Sequence, residues 1–391
     1  MSVLLTLNAG SSSIKFALFE AHAKGLNRLA AGQVEGLGTS AARFVATSHE
    51  GQRQEHRFDA QGGYADHNQA LQGILAWLQG GFPGRQVDVV SHRVVHGGAE
   101  HAAPVRLTTE RIAQLRALNP LAPLHQPHNL AGIEAAQAAF PLAVQIACFD
   151  TAFHRTHPFV SDTFGLPREF HKQGIRRYGF HGLSYEFIAR QLKSRYPDLY
   201  RGKVIVAHLG NGASMCALHE GRSVDSTMGF TALDGLPMGT RCGQIDPGVL
   251  LYLMSERGMD AQDLTDLLYR RSGLKGMSGV SNDMRELLDS ENPAASDAVD
   301  YFVARCRREI GALAASLGGL DAIVLTGGIG EHATEVRARL LRDMRWLGLQ
   351  LDEAANAAGA EVISRPRSMV LALVLATDEE RMLAEHAAAL L

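Results

Sequence analysis

Two arginines stand among small and apolar residues, a setting in which a guanidinium group is better suited to binding an anion than to facing solvent. Arg93 lies in the segment SHRVVHGG (residues 91–98), and Arg241 lies in GTRCG (residues 239–243). A guanidinium group holds a carboxylate or a phosphate through two parallel hydrogen bonds. The pair therefore predicts an anion-binding site, although a salt bridge between domains would use arginine in the same way.

Three glycine-rich turns follow apolar runs: NAGSSS from residue 8, GNGAS from residue 210 and TGGIGE from residue 326. Backbone N–H groups of small residues can approach phosphate oxygens because no side chain blocks them. In the first turn Ser11 and Ser12 add hydroxyl donors, and Lys15 adds a positive charge. One such turn could be a hairpin with incidental serines, but three of them favour a nucleotide held between two domains.

One acid and one histidine are further candidates for chemistry. Asp150 ends the apolar run QIACFD, and a carboxylate at the C-terminal end of a strand faces the ligand crevice in open α/β sheets. It could instead cap the next turn. His181 lies in YGFHG, in a loop before a helix predicted from residue 184, and could be structural or catalytic. A zinc site is disfavoured, because no cysteine or tight helical spacing accompanies the histidines His92, His96, His125 and His128.

Two adjacent acids open the last predicted helix. Thr377 and Glu380 have the spacing of a capping box, which would occupy Glu380 at the helix N-terminus. The same reasoning leaves Glu379 available for another role.

The elements that must position these residues follow from hydrophobic periodicity. Strands over residues 3–7 and 14–19 predict an opening hairpin. A similar strand–turn–strand unit over residues 204–218 indicates that the fold is duplicated.

Helices and strands alternate elsewhere in the chain. A helix over 301–317, a strand over 321–325, a glycine-rich turn and a helix over 333–344 predict α/β architecture, with a ligand at the C-terminal end of the strand. The remaining predicted elements are strands 87–91, 142–149 and 369–376, helices 68–78 and 110–118, and a loop over 119–128.

Composition limits the class of protein. The 391 residues suggest two or three domains, and 46% hydrophobic with 20% charged residues excludes wholesale disorder. A formal net charge of −3 argues against nucleic-acid binding. No apolar run reaches the roughly 20 residues of a membrane span, and the short apolar start is expected to be a strand and not a signal peptide. The four cysteines lie far apart, as in proteins of a reducing cytoplasm.

Several common catalytic motifs are missing from the sequence. It contains no P-loop, no complete dinucleotide fingerprint, no Gly-x-Ser-x-Gly nucleophile elbow and no His-Glu-x-x-His.

Seven segments together resemble the acetate kinase family, in the order and spacing of that family from residue 5 to about residue 380. They are NAGSSSIK, SHRVVHGG, FDTAFH, YGFHG, HLGNG, MGTRCG and GGIGE. The resemblance implies a duplicated α/β fold of the actin-like, ribonuclease H-like type, with an active-site cleft between two domains. The first domain would be residues 1–150 joined by the helix 380–391, and the second, nucleotide-binding domain would be residues 151–379.

The resemblance also implies reversible phosphoryl transfer from ATP to acetate, giving ADP and acetyl phosphate. Mg²⁺ would be the metal, with Mn²⁺ as an alternative. The protein would be a cytoplasmic homodimer without nucleic-acid or membrane partners.

Roles for individual residues are carried over from the family. The catalytic set would be Arg93, Asp150, His181 and Arg241, and the metal would be served by Asn8 and Glu379. The nucleotide would be bound by Ser11, Ser12, Lys15, His208, Leu209, Gly210, Asn211, Gly212, Asp283, Met284, Arg285, Gly328, Ile329, Gly330, Glu331 and His332. The pocket for the acetate methyl group would be lined by Arg93, Val95, Leu124, Phe180 and Ala232.

Chemistry supports direct transfer in this scheme. A phosphoryl group in flight spreads negative charge over three oxygens, so catalysis consists mainly of positioning and electrostatics. A carboxylate nucleophile is already ionised at pH 7 and needs no strong base. Asp150 is therefore expected to orient its neighbours or the metal more than to act as an acid.

Three positions depart from the family pattern. Asp378 and His332 stand where the family usually has asparagine, and Ala232 stands where it usually has proline. The last change puts the width of the substrate pocket in question. A sugar or short-chain acyl kinase of the same fold, and an ATP-binding module like Hsp70 or actin, remain as alternatives.

Overall fold

The computed structural model describes residues 2–10, 13–23, 25–37, 39, 42–57 and 66–391. The chain folds into two compact units. Unit 1 consists of Met1–Phe153 with Asp378–Leu391, and unit 2 is His154–Thr377. None of the described helices is long and apolar enough to cross a membrane.

Unit 1 is built around one mixed sheet whose described strands lie in the order β5-β4-β3-β2-β1-β6-β8-β7. The central strands β1 and β6 are parallel, and both are almost wholly buried because helices cover the sheet. The strands are β1 Ser2–Ala9, β2 Ser13–His22, β3 Gly25–Glu35, β4 Arg43–Ser48, β5 Arg53–Arg57, β6 Val89–Val94, β7 Val105–Arg106 and β8 Val144–Phe149. The helices that precede unit 2 are α1 His67–Gly81, α2 Thr109–Arg116 and α3 Gln126–Ala139.

Unit 2 contains a smaller sheet in the order β11-β10-β9-β12-β13. Its strands are β9 Lys203–Leu209, β10 Ala213–His219, β11 Arg222–Ser226, β12 Ala322–Thr326 and β13 Leu371–Val374. Its helices are α4 Phe159–Asp162, α5 Arg168–Lys172, α6 Gly182–Arg195, α7 Pro197–Arg201, α8 Pro247–Arg257, α9 Ala261–Arg270, α10 Gly273–Ser278, α11 Met284–Leu288, α12 Pro293–Leu317, α13 Gly327–His332, α14 Thr334–Arg342 and α15 Glu353–Ala357. The last helix, α16 Glu379–Ala388, returns to unit 1 and packs on β1 and β6.

The two sheets share one topology. In each, three antiparallel strands are followed by two parallel ones, so β3-β2-β1-β6-β8 corresponds to β11-β10-β9-β12-β13. This repetition confirms the predicted duplication, and it places the turns β1–β2 and β9–β10 at equivalent positions.

The structure corrects several predicted elements. Strand β6 continues to Val94, so that Arg93 lies within a strand and not after one. The predicted loop over residues 119–128 ends early, because α3 already begins at Gln126; Pro127 sits in its first turn, where a missing N–H is tolerated. The predicted helix 333–344 is α14, which Ala333 separates from the short α13. Strands β3, β4, β5, β7 and β11 were not predicted.

Candidate active site

The carboxyl ends of β6 and β8 bring Arg93 and Asp150 together. These parallel neighbours pair Arg93 with Cys148, two residues before Asp150. The Arg93 guanidinium donates from Nε to Asp150 Oδ1 at 3.0 Å and from Nη2 to Oδ2 at 2.6 Å. Asp150 is only 1% exposed. The predicted acid is therefore a buried carboxylate held in the fork of the predicted anion-binding arginine.

Two further side-chain oxygen atoms lie beside this pair. Arg93 Nη1 donates to Asn8 Oδ1 at 3.2 Å, and Arg93 Nε lies 3.6 Å from Glu379 Oε2. Burial alone would lower the pKa of Arg93, but the carboxylates of Asp150 and Glu379 outweigh it and raise that pKa above its usual value. The arginine is therefore charged at any physiological pH.

The oxygens around Arg93 have the chemistry of a magnesium site. Mg²⁺ prefers oxygen ligands, takes one or two carboxylates, and usually completes its shell with water and phosphate. Asn8 and Glu379, the two residues predicted to serve the metal, both lie beside Arg93, and their amide and carboxylate oxygens fit that donor set. Among the described residues, no group of three or more His, Cys, Asp and Glu side chains forms a metal-binding cluster.

The β1–β2 turn is only partly described. Its closing hydrogen bond runs from the Gly10 N–H to the Ser13 carbonyl at 2.8 Å. Lys15 is exposed on β2, opposite Asn8 in the strand register. The predicted phosphate-binding residues Ser11 and Ser12 lie outside the described residues.

In unit 2, His181 occupies an unusual backbone position at the start of α6. It is the N-cap of that helix and has a left-handed backbone, with φ of 58°. Its Nδ1 lies 2.8 Å from Ser214 Oγ. Its ring stacks on His208 with 4.5 Å between centroids, and His208 Nδ1 in turn lies 2.8 Å from Ser184 Oγ. These contacts hold the imidazole in one orientation.

Gly212 in the β9–β10 turn is flanked by two predicted catalytic side chains. A Cβ built on it would lie 3.2 Å from Arg241 Nη2 and 3.4 Å from His181 Nε2. Arg241 Nη1 donates to the Ala232 carbonyl at 2.7 Å. A side chain at 212 would therefore crowd Arg241 and His181, which lie on the same side of this turn.

A cavity of about 720 Å³ lies beside the same turn in unit 2. Eight predicted nucleotide-binding residues line it: Gly210, Asn211, Asp283, Met284, Arg285, Gly328, Ile329 and His332. Sequence reasoning missed six others, which are Asn282, Leu288, Asp289, Ala333, Thr334 and Glu335. All six lie within a few residues of a predicted residue on or beside α11 or α13, so closeness along the chain was the signal that could have found them.

Some predicted nucleotide ligands lie outside the cavity lining. Leu209 is fully buried. The Glu331 carboxylate accepts the Gly327 N–H at 2.9 Å and therefore closes the β12–α13 turn from inside. Gly330 is buried, and its carbonyl accepts from Arg337 Nη1 at 3.1 Å.

Arg337 is an unpredicted residue that supports this cavity. It is 1% exposed and donates to backbone carbonyls at the end of α13, with 2.7 Å to Glu331 O, and to Asn356 Oδ1, also at 2.7 Å. Burial lowers the pKa of this guanidinium. A buried arginine bonded to carbonyls and one amide fixes the helix that lines the cavity.

The five predicted pocket residues are divided between the units. Arg93, Val95 and Leu124 belong to unit 1, and Phe180 and Ala232 belong to unit 2. Val95 is buried, and its N–H donates to Asn129 Oδ1 at 2.9 Å. Phe180 is 2% exposed.

The start of α16 differs from the prediction. The helix is capped by Asp378, whose side chain accepts the Arg381 N–H at 2.9 Å. The Thr377 hydroxyl has no hydrogen-bond partner among the described residues, so the predicted capping box of Thr377 and Glu380 is wrong. Glu380 instead lines a small cavity with Lys15 and Arg28.

Comparison with known proteins identifies the family. A model of the acetokinase family matches residues 3–385. The chain belongs to the acetokinase family. An acetate kinase of Methylocella silvestris is 56% identical to it, with 99% of this chain and 98% of that protein covered.

Solved acetokinase-family structures share the whole fold. The acetate kinase of Porphyromonas gingivalis is 38% identical, with a TM-score of 0.88 and coverage of 100% of this chain and 99% of that one. A propionate kinase of Francisella tularensis is 35% identical, with a TM-score of 0.91 and 99% of both chains covered. These similarities confirm the predicted family and fold class.

The three departures from the acetokinase pattern have distinct structural settings. Asp378 caps α16 and pairs with Arg28. His332 lines the cavity of unit 2. Ala232 accepts a hydrogen bond from Arg241 through its carbonyl, so a change at 232 acts on the immediate surroundings of that arginine.

Proposed function

We propose that the protein is an acetate kinase, which reversibly transfers the γ-phosphoryl group of ATP to acetate. The observation that carries the proposal is the acetokinase match along residues 3–385. The buried Arg93–Asp150 pair and the cavity beside the β9–β10 turn support it, because they supply an anion-binding group and room for a nucleotide.

In the proposed reaction an acetate oxygen attacks the γ-phosphorus in line with the bond that breaks. A new oxygen–phosphorus bond forms acetyl phosphate, and the electron pair of the broken bond leaves on the β-phosphate oxygen of ADP. No proton moves, because acetate is already ionised at neutral pH. The protein's task is therefore to hold the reactants and to stabilise the charge on the transferring group.

Each catalytic side chain has a proposed part in that task. Arg93 and Arg241 bind the carboxylate and the transferring phosphoryl group through guanidinium N–H groups. His181 donates a hydrogen bond to the phosphoryl oxygens. Asp150 orients Arg93, which its bidentate contact supports. It takes no proton in this scheme.

Mg²⁺, or Mn²⁺ in its place, would be held by Asn8 and Glu379, whose oxygens lie together beside Arg93. When bound with ATP, the metal neutralises charge on the β- and γ-phosphates. Lys15, Ser11 and Ser12 are proposed to contact the phosphates. Asp283, Met284, Arg285 and His332 are proposed to contact the nucleoside, since they line the cavity of unit 2.

A propionate or other short-chain acyl kinase is the second candidate. Ala232 favours it, because a smaller residue than the proline usual in the family leaves more room for an extra methylene. One of the similar solved structures, with a TM-score of 0.91, is that of a propionate kinase.

A hydroxamate assay with ATP, Mg²⁺ and a panel of acids tests the proposal. We expect acyl hydroxamate from acetate at the highest kcat/KM, less from propionate and least from butyrate. A higher kcat/KM for propionate would replace acetate with the second candidate. Failure with all acids would remove the kinase assignment and favour an ATP-binding module without this activity.

We also propose a cytoplasmic location, which the four free cysteines support because thiols persist in reducing compartments.

A homodimer is proposed as well. Helix α8 has no buried residue and exposes four large apolar side chains, namely Val249, Leu251, Tyr252 and Met254. A second copy of the chain would cover such exposed apolar surface.

Light scattering on Leu251→Glu tests the dimer. We expect the wild-type mass to be twice that of one chain and the variant to shift towards one chain. Leu142→Glu, at an exposed leucine of unit 1, is the matched control and should remain dimeric. A monomeric wild-type protein would refute the proposal.

A further inference from the structure

A chain of hydroxyl groups lies behind His181. The Nδ1 atom of its ring is 2.8 Å from Ser214 Oγ, and the same Oγ is hydrogen-bonded to the Tyr185 hydroxyl. Both Ser214 and Tyr185 are fully buried. Ser214 lies on β10 and Tyr185 on the first turn of α6, the helix that His181 caps. Two elements of the fold therefore converge on one nitrogen of the imidazole.

The direction of these hydrogen bonds follows from counting hydrogens. Tyr185 has one hydroxyl hydrogen, and Ser214 Oγ is its hydrogen-bond partner among the described residues. If Tyr185 donates to Ser214, the single hydroxyl hydrogen of Ser214 is left to bond His181 Nδ1. Nδ1 then accepts, and in a neutral imidazole the hydrogen must be on Nε2.

The opposite direction is unfavourable. If His181 donated from Nδ1 to Ser214, then either the Tyr185 hydrogen or the Ser214 hydrogen would be buried without an acceptor in the described part of the chain, depending on which of the two hydroxyls donates to the other. A buried donor without an acceptor is strongly disfavoured. The local structure therefore selects one tautomer.

The selected tautomer directs its N–H towards the β9–β10 turn. His181 Nε2 lies on the side of Gly212, where an added Cβ would be 3.4 Å from it and 3.2 Å from Arg241 Nη2. The donor nitrogen of His181 and the guanidinium of Arg241 thus border the same small residue. A phosphoryl oxygen bound there could accept from both.

We propose that Ser214 and Tyr185 are positioning residues, which hold His181 as the tautomer with hydrogen on Nε2. The catalytic consequence rests on the proposed function, since only that tautomer lets a neutral His181 donate to the transferring phosphoryl group. The tautomer itself does not depend on that function.

Nitrogen NMR of the histidine side chains tests the tautomer directly. Protein labelled with ¹⁵N-histidine is compared with His181→Gln, and the missing resonances assign His181. We expect the Nε2–H pattern in the wild-type protein and a mixed or reversed pattern in Ser214→Ala and Tyr185→Phe. Tyr185→Phe keeps the ring and its volume, so it is the variant least able to disturb the fold.

Ser184→Ala is the matched control, because Ser184 contacts His208 Nδ1 and not His181. It should change the His208 resonances and leave the His181 pattern intact. An Nδ1–H pattern in the wild-type protein, or an unchanged His181 pattern in both Ser214→Ala and Tyr185→Phe, would overturn the proposal.

Kinetics provides the second measurement. Loss of one well-oriented donor is expected to lower kcat by roughly tenfold in Ser214→Ala and Tyr185→Phe, while KM for acetate changes by less than about twofold. A rise in KM with unchanged kcat would assign the two residues to substrate binding and reject positioning. If wild-type protein shows the Nε2–H pattern but no kinase activity, the tautomer assignment stands and the proposed function fails.

Discussion

Asp378 accepts the backbone N–H of Arg381 at 2.9 Å, so Asp378, and not Thr377, is the N-cap of the last helix. The cap occupies one of the four N–H groups that every helix leaves unpaired at its start. The cap also fixes the directions of the two glutamates that follow it. Glu379 faces Arg93, and Glu380 faces Lys15 and Arg28.

Removal of this cap should destabilise the protein. Asp378→Ala is expected to cost about 1 kcal/mol, which corresponds to a melting temperature lower by roughly 2–4 °C for units of this size. Asp378→Asn is the matched control, because asparagine caps as well as aspartate but loses the ion pair with Arg28. Equal melting temperatures for the alanine and asparagine variants would show that the cap contributes nothing.

The two arginines should be needed for turnover. Arg93→Ala and Arg241→Ala are each expected to lower kcat by on the order of 10³-fold, as for loss of an arginine that stabilises transferring phosphoryl charge. Arg116→Ala and Arg270→Ala, at exposed arginines of units 1 and 2, should keep full activity. An Arg93 or Arg241 variant that retains more than about a tenth of kcat does not have the proposed role.

Metal dependence should separate the two adjacent glutamates. Glu379→Gln is expected to raise the Mg²⁺ concentration needed for half-maximal activity, because Glu379 lies beside Asn8 and Arg93. Glu380→Gln should leave that concentration nearly unchanged, since its side chain faces the cavity with Lys15. The measurement is a Mg²⁺ titration at saturating ATP and acetate, and equal shifts in both variants would contradict the assignment.

Glu380 should also make stability depend on pH. Burial, together with the charge of Glu379, raises the pKa of Glu380 above its usual value. Between the unfolded and folded pKa values the folded state binds more protons, so stability falls as pH rises through this range. Glu380→Gln should therefore raise the melting temperature at pH 7, and the gain should shrink as pH falls towards 4.5. A gain that grows on acidification would reverse the assigned sign.

Residue 232 should influence the choice of acid. Proline at this place would add two ring carbons, close to the volume of one substrate methylene, which is worth roughly 1–3 kcal/mol in an apolar pocket. Ala232→Pro is expected to reduce the propionate-to-acetate ratio of kcat/KM by about tenfold. The carbonyl that binds Arg241 is kept in this variant. An unchanged ratio would show that residue 232 does not line the pocket.

The sequence predicted which residues belong to the site better than it predicted which residues they contact. Arg93 was found from its setting among small and apolar residues, and Asp150 from its place at the end of an apolar run. Their contact, however, depends on β6 and β8 being parallel neighbours, which chain order does not determine. Arg337 could not be found, because in the sequence it resembles the half-buried Arg339 and the exposed Arg342 on the same helix and differs from them only in burial. The strand β5 was missed because RQEHR is almost wholly charged or polar and shows no apolar alternation.

Unit 2 lies within the chain as one uninterrupted insertion between Phe153 and Asp378, and α16 completes unit 1. In the folded protein the Leu383 carbonyl of α16 accepts the buried Ser91 hydroxyl at 3.0 Å, and Glu379 joins Arg93. On a ribosome adding ~5–20 residues per second, the insertion takes on the order of 10–45 s to make. During that time strands β1, β6 and β8 have been synthesised, but helix α16, which packs on them, has not. The order of synthesis therefore favours folding of unit 2 first, and the oxygen cluster around Arg93 assembles last.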